Sequence, residues 1–205
     1  MSLSDVPLAE VTVIGAFSGI LDAAEPVTAW PESVRERPRD HVYRWLTLVM
    51  ARLLLPVAAV ATGGRRVRQR ASEWALSLRF PSEKLAGLSE ETRTALVTAR
   101  TDAFWQDGEL ISVTSGRRGV RAQQRMFDAA IERYGSITEA RHWVLPPSES
   151  AHVRGTAMDI RPFGGARWLE RYGDHYGLYR TFDNEWWHFE CLSEAESRRY
   201  RPLAS

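Results

Sequence analysis

Two short segments in the C-terminal half of the chain carry residues that could do chemistry. In the first, His152 and Asp159 lie seven residues apart, and in the second Glu185 precedes His188 by three. Two histidines and one aspartate are three metal ligands, and zinc held by three protein groups keeps a fourth position for water. A carboxylate outside that set, such as Glu185, could take the proton of this water. The pattern therefore predicts a metal-assisted hydrolase.

Local sequence indicates how these residues are positioned. Gly155 permits a sharp turn after the first histidine, because glycine tolerates a positive φ. Residues 156–160 read as a short strand by their alternation. Glu185 and His188 are separated by an odd number of positions, so a regular strand would point them to opposite faces. We therefore predict Glu185 in a turn before a strand at 187–190, with the metal ligands on adjacent strands.

The two segments also resemble a known family. Ser-x-His-x-x-Gly-x-Ala-x-Asp at 150–159, followed by Glu-x-Trp-His at 185–188, is similar to the zinc D-alanyl-D-alanine peptidases of the VanY and VanX type, which are relatives of the Hedgehog-like fold. Ser115-Gly116-x-Arg118 and the downstream Gln123 resemble a segment of the carboxypeptidase branch. The resemblance extends from about residue 88 to residue 190.

The resemblance implies roles for individual residues. The zinc ligands would be His152, Asp159 and His188, the general base Glu185, and the arginine that binds substrate and stabilises the oxyanion Arg118. Glu185 could instead orient an imidazole, and Arg118 could brace the helix that follows it. The family often has an aromatic residue where this chain has Arg117, so which arginine reaches the site stays open.

Three further residues are expected on the substrate side. Ser150 would contact substrate, or else form the turn before the first ligand. Gln123 would bind substrate, or else face solvent on its helix. Trp187, together with Trp186, would exclude water and form the floor of the site, or else belong to the core.

Composition limits the class of partner. The formal net charge is +1 over 205 residues, which gives no electrostatic reason to expect nucleic-acid binding. Cys191 is the sole cysteine, so an intramolecular disulfide is excluded, and we expect a small buried side chain there rather than a nucleophile. We expect a monomer.

The predicted fold is α+β, with a small, mostly antiparallel sheet flanked by helices, as in the Hedgehog/DD-peptidase fold. A helix at 88–105 has Ser89 as its N-cap and ends at Asp107 and Gly108. A strand at 109–114 and three further helices are predicted, at 119–134, 137–144 and 166–172.

The division into domains depends on an apolar stretch near the N-terminus. We predict an N-terminal segment at 1–79 and a zinc peptidase domain at 80–205. Residues 45–62 approach the roughly 20 residues that cross a bilayer, but Arg52 near the middle costs about 2.5–3.5 kcal/mol on the insertion scale, which apolar neighbours just offset. This stretch is either a membrane anchor or a helix packed on the catalytic domain. Four arginines lie on each side of it, so charge does not orient it.

The implied reaction is hydrolysis of the peptide bond before a C-terminal D-alanine. A D,D-carboxypeptidase would trim peptidoglycan stem peptides at the cell membrane with its catalytic domain outside the cytoplasm, in glycopeptide resistance or cell-wall remodelling. A cytoplasmic D-Ala-D-Ala dipeptidase is the alternative if residues 45–62 are soluble core. A phage-like endopeptidase is disfavoured because no cell-wall-binding repeat occurs. A zinc-stabilised binding module is disfavoured because it would need neither Glu185 nor Arg118.

Overall fold

The computed structural model describes residues 37–183 and 185–200, the last two by their backbone alone. The earlier part of the predicted N-terminal segment lies outside these residues. The described helices are α1 (Pro38–Thr62), α2 (Val67–Arg79), α3 (Glu90–Asp102), α4 (Val120–Tyr134), α5 (Ile137–Arg141), α6 (Ala151–Arg154), α7 (Phe163–Tyr172) and α8 (Glu194–Tyr200). The strands are β1 (Ser112–Ser115), β2 (Ala157–Arg161), β3 (Leu178–Arg180) and β4 (His188–Cys191).

The strands form one antiparallel sheet in the order β1-β2-β4-β3. Asp159 on β2 lies directly opposite His188 on β4, and Met158 lies opposite Phe189. Side chains alternate between faces along a strand, so Asp159 and His188 share one face while Met158 and Phe189 share the other. The predicted fold class, a small antiparallel sheet flanked by helices, is confirmed.

The main hydrophobic core fills the space between the apolar face of the sheet and the helices α3 and α7. Met158, Ile160 and Phe189 from the sheet are fully buried there against Leu96 of α3 and Leu169 of α7. Because the core occupies this face, the opposite face is left for the polar side chains of β2 and β4.

The helix α3 begins and ends as the sequence predicts. The Ser89 hydroxyl accepts a hydrogen bond from the Thr92 backbone N–H at 3.1 Å, which satisfies one of the free N–H groups of the first turn. A π-helical turn, Ala103–Asp107, extends α3 to Gly108, which adopts a φ of 68°. The left-handed conformation of Gly108 ends the helix.

The loop that precedes α3 pairs with the free edge of the edge strand β1. The Glu83 carboxylate accepts hydrogen bonds from the Val113 backbone N–H and from the Arg100 guanidinium, both at 2.9 Å. The Lys84 backbone N–H donates to the Val113 carbonyl at 3.0 Å. Both backbone groups of Val113 are therefore paired, although β1 has a strand on only one side. The pairing of Val113 holds β1 in place and so positions the segment 115–118 that follows it.

The helices α1 and α2 pack on each other and on the part of the chain that follows them. Ala51 of α1 and Leu76 of α2 are buried in one cluster with Phe104 and Leu110. By length and composition, α1 is long and apolar enough to cross a membrane, alone among the helices within residues 37–183 and 185–200. It begins at Pro38, seven residues before the predicted stretch, and runs through Pro56.

Several local predictions were incomplete. The short strand β3 and the helices α2, α6 and α8 were not predicted. The strand β1 begins three residues later than expected, and α5 ends at Arg141 rather than at residue 144. These elements are short or have weak periodicity, and their packing decides where they start and stop.

Candidate metal centre

Asp159 and His188 form the rigid half of the centre. Because they are directly opposed on neighbouring strands, their side chains meet on the polar face of the sheet. The His188 Nδ1 atom lies 3.4 Å from Asp159 Oδ1, and both residues are buried. The Ile160 backbone N–H donates to the Trp187 carbonyl at 2.8 Å, which continues the strand pairing beyond His188.

His152 reaches the centre from the helix α6, not from a strand, which corrects the prediction that all three ligands lie on adjacent strands. This helix ends at Gly155, whose φ is 79°. A Cβ atom at Gly155 would lie 2.5 Å from the Gly87 carbonyl oxygen, so no larger residue fits. The close approach holds α6 against the loop before α3 and points His152 at Asp159, with Nε2 and Oδ1 3.4 Å apart.

Hydrogen bonds on the far side of each imidazole fix the atom that faces Asp159. The His152 Nδ1 atom lies 2.8 Å from the Gly116 carbonyl, which can only accept, so this nitrogen carries the hydrogen. The His188 Nε2 atom lies 3.2 Å from a carboxylate oxygen of Glu190. In both rings the nitrogen that faces Asp159 is therefore the one that could bind a metal ion once it is deprotonated, which is the arrangement that metal-binding histidines have.

The three side chains could hold a single divalent ion. One ligand atom from each of His152, Asp159 and His188 lies within 4.8 Å of the other two, and all three residues are buried. Two imidazole nitrogens and one carboxylate oxygen suit zinc, and three protein ligands leave a coordination position for a reacting group. Within the described residues, no other group of histidine, cysteine and acidic side chains is arranged in this way.

The charges of the centre are strongly coupled. Burial alone would raise the pKa of Asp159, but hydrogen bonds with His152 and His188 lower it well below its usual value. Burial alone would lower the pKa of His188, but its bonds to Asp159 and Glu190 raise it to about 9. A metal ligand must be deprotonated, so metal binding competes with protonation of His188.

Glu190 is a residue that the sequence analysis missed. Burial alone would raise the pKa of Glu190, but its hydrogen bond to His188 lowers it, so this side chain stays a carboxylate. The Thr181 hydroxyl donates to the same Glu190 oxygen at 2.8 Å. Glu190 lies two positions after His188 on β4, and a period of two places both side chains on one face. That spacing could have identified it.

Glu185 lies beside the three ligands in the turn that precedes β4, where the sequence analysis expected it. Its Oε2 atom is 3.7 Å from His188 Nδ1. Burial raises the pKa of Glu185, and Asp159 adds to this, while His188 and Arg118 oppose it without cancelling it. A carboxylate with a raised pKa is a stronger base than one in water and is suited to accept a proton.

Arg118, rather than Arg117, is directed towards the centre. Its Nη1 atom donates to the Gln123 side-chain oxygen at 2.7 Å, and its backbone N–H donates to the His152 carbonyl at 2.9 Å. Burial lowers the pKa of Arg118, while the charges of Asp159 and Glu185 counteract that effect. Arg117 is exposed, with its aliphatic stem over Gly87.

Gln123 stands behind Arg118. Only 2% of its surface is exposed, and its amide nitrogen donates to the Leu145 carbonyl at 2.7 Å. Both ends of the Gln123 amide are thus used, one by Arg118 and one by the chain after α5. Its position favours orienting the guanidinium over direct contact with a ligand.

The other two predicted substrate residues lie close to the metal ligands in sequence. Ser150 is buried at the start of α6, and its backbone carbonyl accepts from the Val153 N–H at 3.1 Å. Trp187 is partly buried beside Trp186, with ring centroids 5.6 Å apart. The Arg161 guanidinium lies over both rings, 4.2 Å from the centroid of Trp186. Contact of Ser150 or Trp187 with a substrate stays a prediction.

Known proteins resemble this chain in sequence. A curated D-alanyl-D-alanine carboxypeptidase from Enterococcus faecalis (strain ATCC 700802 / V583) is 29% identical over 125 residues, covering 48% of this chain and 47% of the relative. The chain thus spans about half the length of that relative.

Two solved structures are similar as well. One is a vancomycin resistance D,D-pentapeptidase VanY variant from a VanB-type cassette, in complex with Zn(II). It is 26% identical, the match covers 58% of this chain and 82% of that chain, and the TM-score is 0.47. The other is VanYB in complex with D-alanine-D-alanine, at 27% identity, 55% and 76% coverage, and a TM-score of 0.47.

The family model for VanY, D-alanyl-D-alanine carboxypeptidase, matches residues 86–194, which is more than half of the chain. The matched range contains each of the three candidate ligands together with Glu185 and Arg118, and the resemblance inferred from the sequence motifs is confirmed. The chain belongs to the VanY family of D-alanyl-D-alanine carboxypeptidases.

Proposed function

We propose that the chain is a zinc-dependent D,D-carboxypeptidase that removes the C-terminal D-alanine from peptidoglycan stem peptides. The observation that carries the proposal is the convergence of His152, Asp159 and His188 within 4.8 Å, with the Glu185 carboxylate beside them. Membership of the VanY family and the activity named for the Enterococcus relative support the substrate class.

His152, Asp159 and His188 would hold the ion. The donor set fits zinc, because both imidazoles have their remaining nitrogen engaged by a hydrogen-bond acceptor, Gly116 in one case and Glu190 in the other. Bound zinc supplies Lewis acidity, which polarises a carbonyl group and lowers the pKa of water.

Glu185 would act as the general base. Its carboxylate takes the proton from the attacking water and returns it to the leaving amine of the released D-alanine. The burial that raises the pKa of Glu185 makes it a stronger base than an exposed carboxylate and so favours the first transfer, from water to Glu185. Its place in a turn beside His188, instead of on the strand, leaves it free of the ligand set.

Arg118 would stabilise negative charge in the substrate. A planar guanidinium can offset the charge that develops on the scissile carbonyl oxygen, or it can bind the terminal carboxylate. The Arg118 Nη1 atom donates to the Gln123 amide oxygen, so the guanidinium is oriented before substrate arrives. We therefore propose Gln123 as a positioning residue for Arg118.

The test is release of free D-alanine from a Lys-D-Ala-D-Ala peptide by the purified full chain. We expect release that a chelator abolishes and that added zinc restores. The His188→Ala variant should be inactive and should lose the metal. Release that persists at full rate after complete chelation, or in the His188→Ala protein, would rule out the proposed mechanism.

A D-Ala-D-Ala dipeptidase is the second candidate, and the packing of α1 favours it. A dipeptidase working in the cytoplasm needs no anchor, and Ala51 of α1 is buried in one cluster with Phe104 and Leu110, so this side of the helix packs on protein. Supplying the free dipeptide beside the longer peptide separates the two activities. A kcat/KM that is higher for the dipeptide than for the peptide would favour the second candidate.

We further propose that the catalytic part works outside the cytoplasmic membrane, where stem peptides are found. Loss of their terminal D-alanine removes the group that glycopeptide antibiotics bind, which would give the enzyme a role in resistance or in cell-wall remodelling. Expression of the chain in a susceptible host should raise the proportion of stem peptides that lack this residue. An unchanged stem-peptide composition would contradict this role.

A further inference from the structure

One face of α1 is apolar and is not covered by any described part of the chain. We call it the outer face and define it by six exposed side chains: Val42, Trp45, Leu46, Leu53, Val57 and Val60. Trp45 is 61% exposed, Leu53 68% and Val60 87%. A soluble helix normally places polar residues on the side that faces water. A continuous apolar face of this length marks an interaction surface.

The opposite face of α1 is held by protein. Ala51 and Ala58 are fully buried, and the Arg44 guanidinium donates to the Glu109 carboxylate at 2.6 Å. If α1 crossed a bilayer in this arrangement, α2 and its polar side chains would enter the hydrocarbon with it. On α2, the Gln69 side-chain amide donates to the Glu73 carboxylate at 2.9 Å, and the Arg70 guanidinium lies 3.3 Å from the same carboxylate. Groups of this kind are costly to place in lipid.

The stretch of chain between Asp40 and Glu73 carries charge of a single sign, although Arg44 pairs with Glu109 and Arg70 with Glu73 at its margins. No acidic residue occurs between Asp40 and Glu73, whereas the same stretch holds six arginines: Arg44, Arg52, Arg65, Arg66, Arg68 and Arg70. Arg52 and Arg68 both approach the ring of Trp105, so they lie on one flank of the α1–α2 pair. Arg65 and Arg66 are exposed at the turn that follows α1.

These features match the lipid–water interface rather than its interior. An interfacial helix combines an embedded apolar face with basic residues that contact anionic head groups, and tryptophan is frequent at this depth. Arginine side chains near the surface add electrostatic attraction to anionic lipid.

We propose that α1 is an interfacial helix. Its outer face embeds in the surface of an anionic bilayer with the helix axis along the membrane plane, and the catalytic part stays in water on the same side. This inference rests on the membrane location proposed above and specifies how α1 contacts the membrane. Its test does not depend on peptidase activity.

The first test is co-sedimentation of the full chain with vesicles of phosphatidylcholine containing roughly 30% phosphatidylglycerol. We expect binding that falls about tenfold or more in the double variant Leu53→Glu/Val57→Glu, since two embedded apolar side chains are replaced by charges. Binding to pure phosphatidylcholine should be weaker by about tenfold. The matched control is Ile137→Glu, which alters a 59% exposed apolar residue on α5 and should leave binding unchanged.

Equal binding by the double variant and the wild type would overturn the proposal. The proposal would also be overturned if the chain did not bind vesicles but formed dimers in solution that Leu53→Glu/Val57→Glu abolished. The outer face would then bind a second copy. D-alanine release by the double variant, measured in solution, separates this result from a failure of the proposed enzymatic function.

The second test distinguishes a helix that lies along the membrane from one that crosses it. In a Cys191→Ser background, Arg39→Cys and Arg65→Cys place single thiols near the two ends of α1. In bacterial cells expressing the full chain, a membrane-impermeant maleimide should label both positions under the same condition, either in intact spheroplasts or only after lysis. Labelling of one position in intact spheroplasts and of the other only after lysis would mean that α1 spans the membrane.

Discussion

We predict that Glu190 strengthens metal binding through its hydrogen bond to His188, and Glu190→Gln tests this directly. One Glu190 oxygen lies 3.2 Å from His188 Nε2 and accepts the Thr181 hydroxyl at 2.8 Å. The glutamine has nearly the same shape and keeps an oxygen that can accept from the imidazole. The substitution removes only the negative charge. In the wild type this charge makes His188 a more basic ligand.

The expected effect is a loss of about 10-fold to 100-fold in zinc affinity, the range for removing such partners of metal-binding histidines. This corresponds to about 1.4–2.7 kcal/mol of binding free energy. We expect the lower end of that range for Glu190→Gln, because an acceptor is retained, and the upper end for Glu190→Ala, because the ring is then also free to rotate. Thr181→Val should have a smaller effect, since it only loosens Glu190.

The assay is competition for zinc against a chromophoric chelator, with circular dichroism to check folding. The matched control is Glu170→Gln, which neutralises a carboxylate on α7 that is paired with Arg180 at 2.8 Å, outside the metal centre. Zinc affinity of the control should equal that of the wild type. Equal losses in the Glu190 and Glu170 variants, or no loss in either, would refute the reasoning.

Three further predictions concern other parts of the site and its support. Glu185→Gln should keep one zinc per chain and lower D-alanine release by about 10²-fold to 10⁴-fold; normal turnover would remove the assignment as base. Gln123→Ala should lower kcat/KM by roughly 10-fold to 100-fold at unchanged zinc content, because a bond to the charged Arg118 is lost; unaltered kinetics would mean that Arg118 needs no such support. Arg100→Met should reduce the free energy of unfolding by about 3–5 kcal/mol, since Glu83 would be left as a buried unpaired charge. Chemical denaturation should show that adding Glu83→Gln recovers part of this loss. Full stability of the single variant would contradict the prediction.

Where local spacing or a single residue type determines the backbone conformation, the position of a residue on a strand, turn or helix end could be predicted from the sequence. The alternation around Asp159 placed it on a strand, and the odd separation of Glu185 and His188 placed the glutamate in a turn, as the structure has it. Ser89 and Gly108 marked the limits of a helical region because their side-chain and backbone chemistry is local.

Features that depend on distant contacts could not be predicted in this way. His152 lies on a helix of four residues, too short for a periodic pattern, and its orientation depends on the Gly116 carbonyl 36 positions away. The choice between Arg117 and Arg118 depends on the pairing of the Arg118 N–H with the His152 carbonyl, which no local motif records.

The helix α2 was missed for a different reason. Its arginines dominate the local composition, and three of its four buried residues, Ala71, Ser72 and Ala75, are small or polar. Such a stripe is a weak hydrophobic signal, and it becomes a packing surface only when α1 lies against it. The packing of α1 on α2 likewise could not be read from the hydropathy of residues 45–62, because a spanning helix and a packed helix have similar composition.

The assignment of the metal centre is tested most directly by anomalous diffraction at the zinc absorption edge, from crystals of the full chain grown with zinc. We predict one peak per chain, in contact with His152 Nε2, Asp159 Oδ1 and His188 Nδ1, and with no fourth protein ligand. A peak elsewhere, or a fourth side chain such as Glu185 bound to the ion, would contradict a catalytic centre built from these three residues.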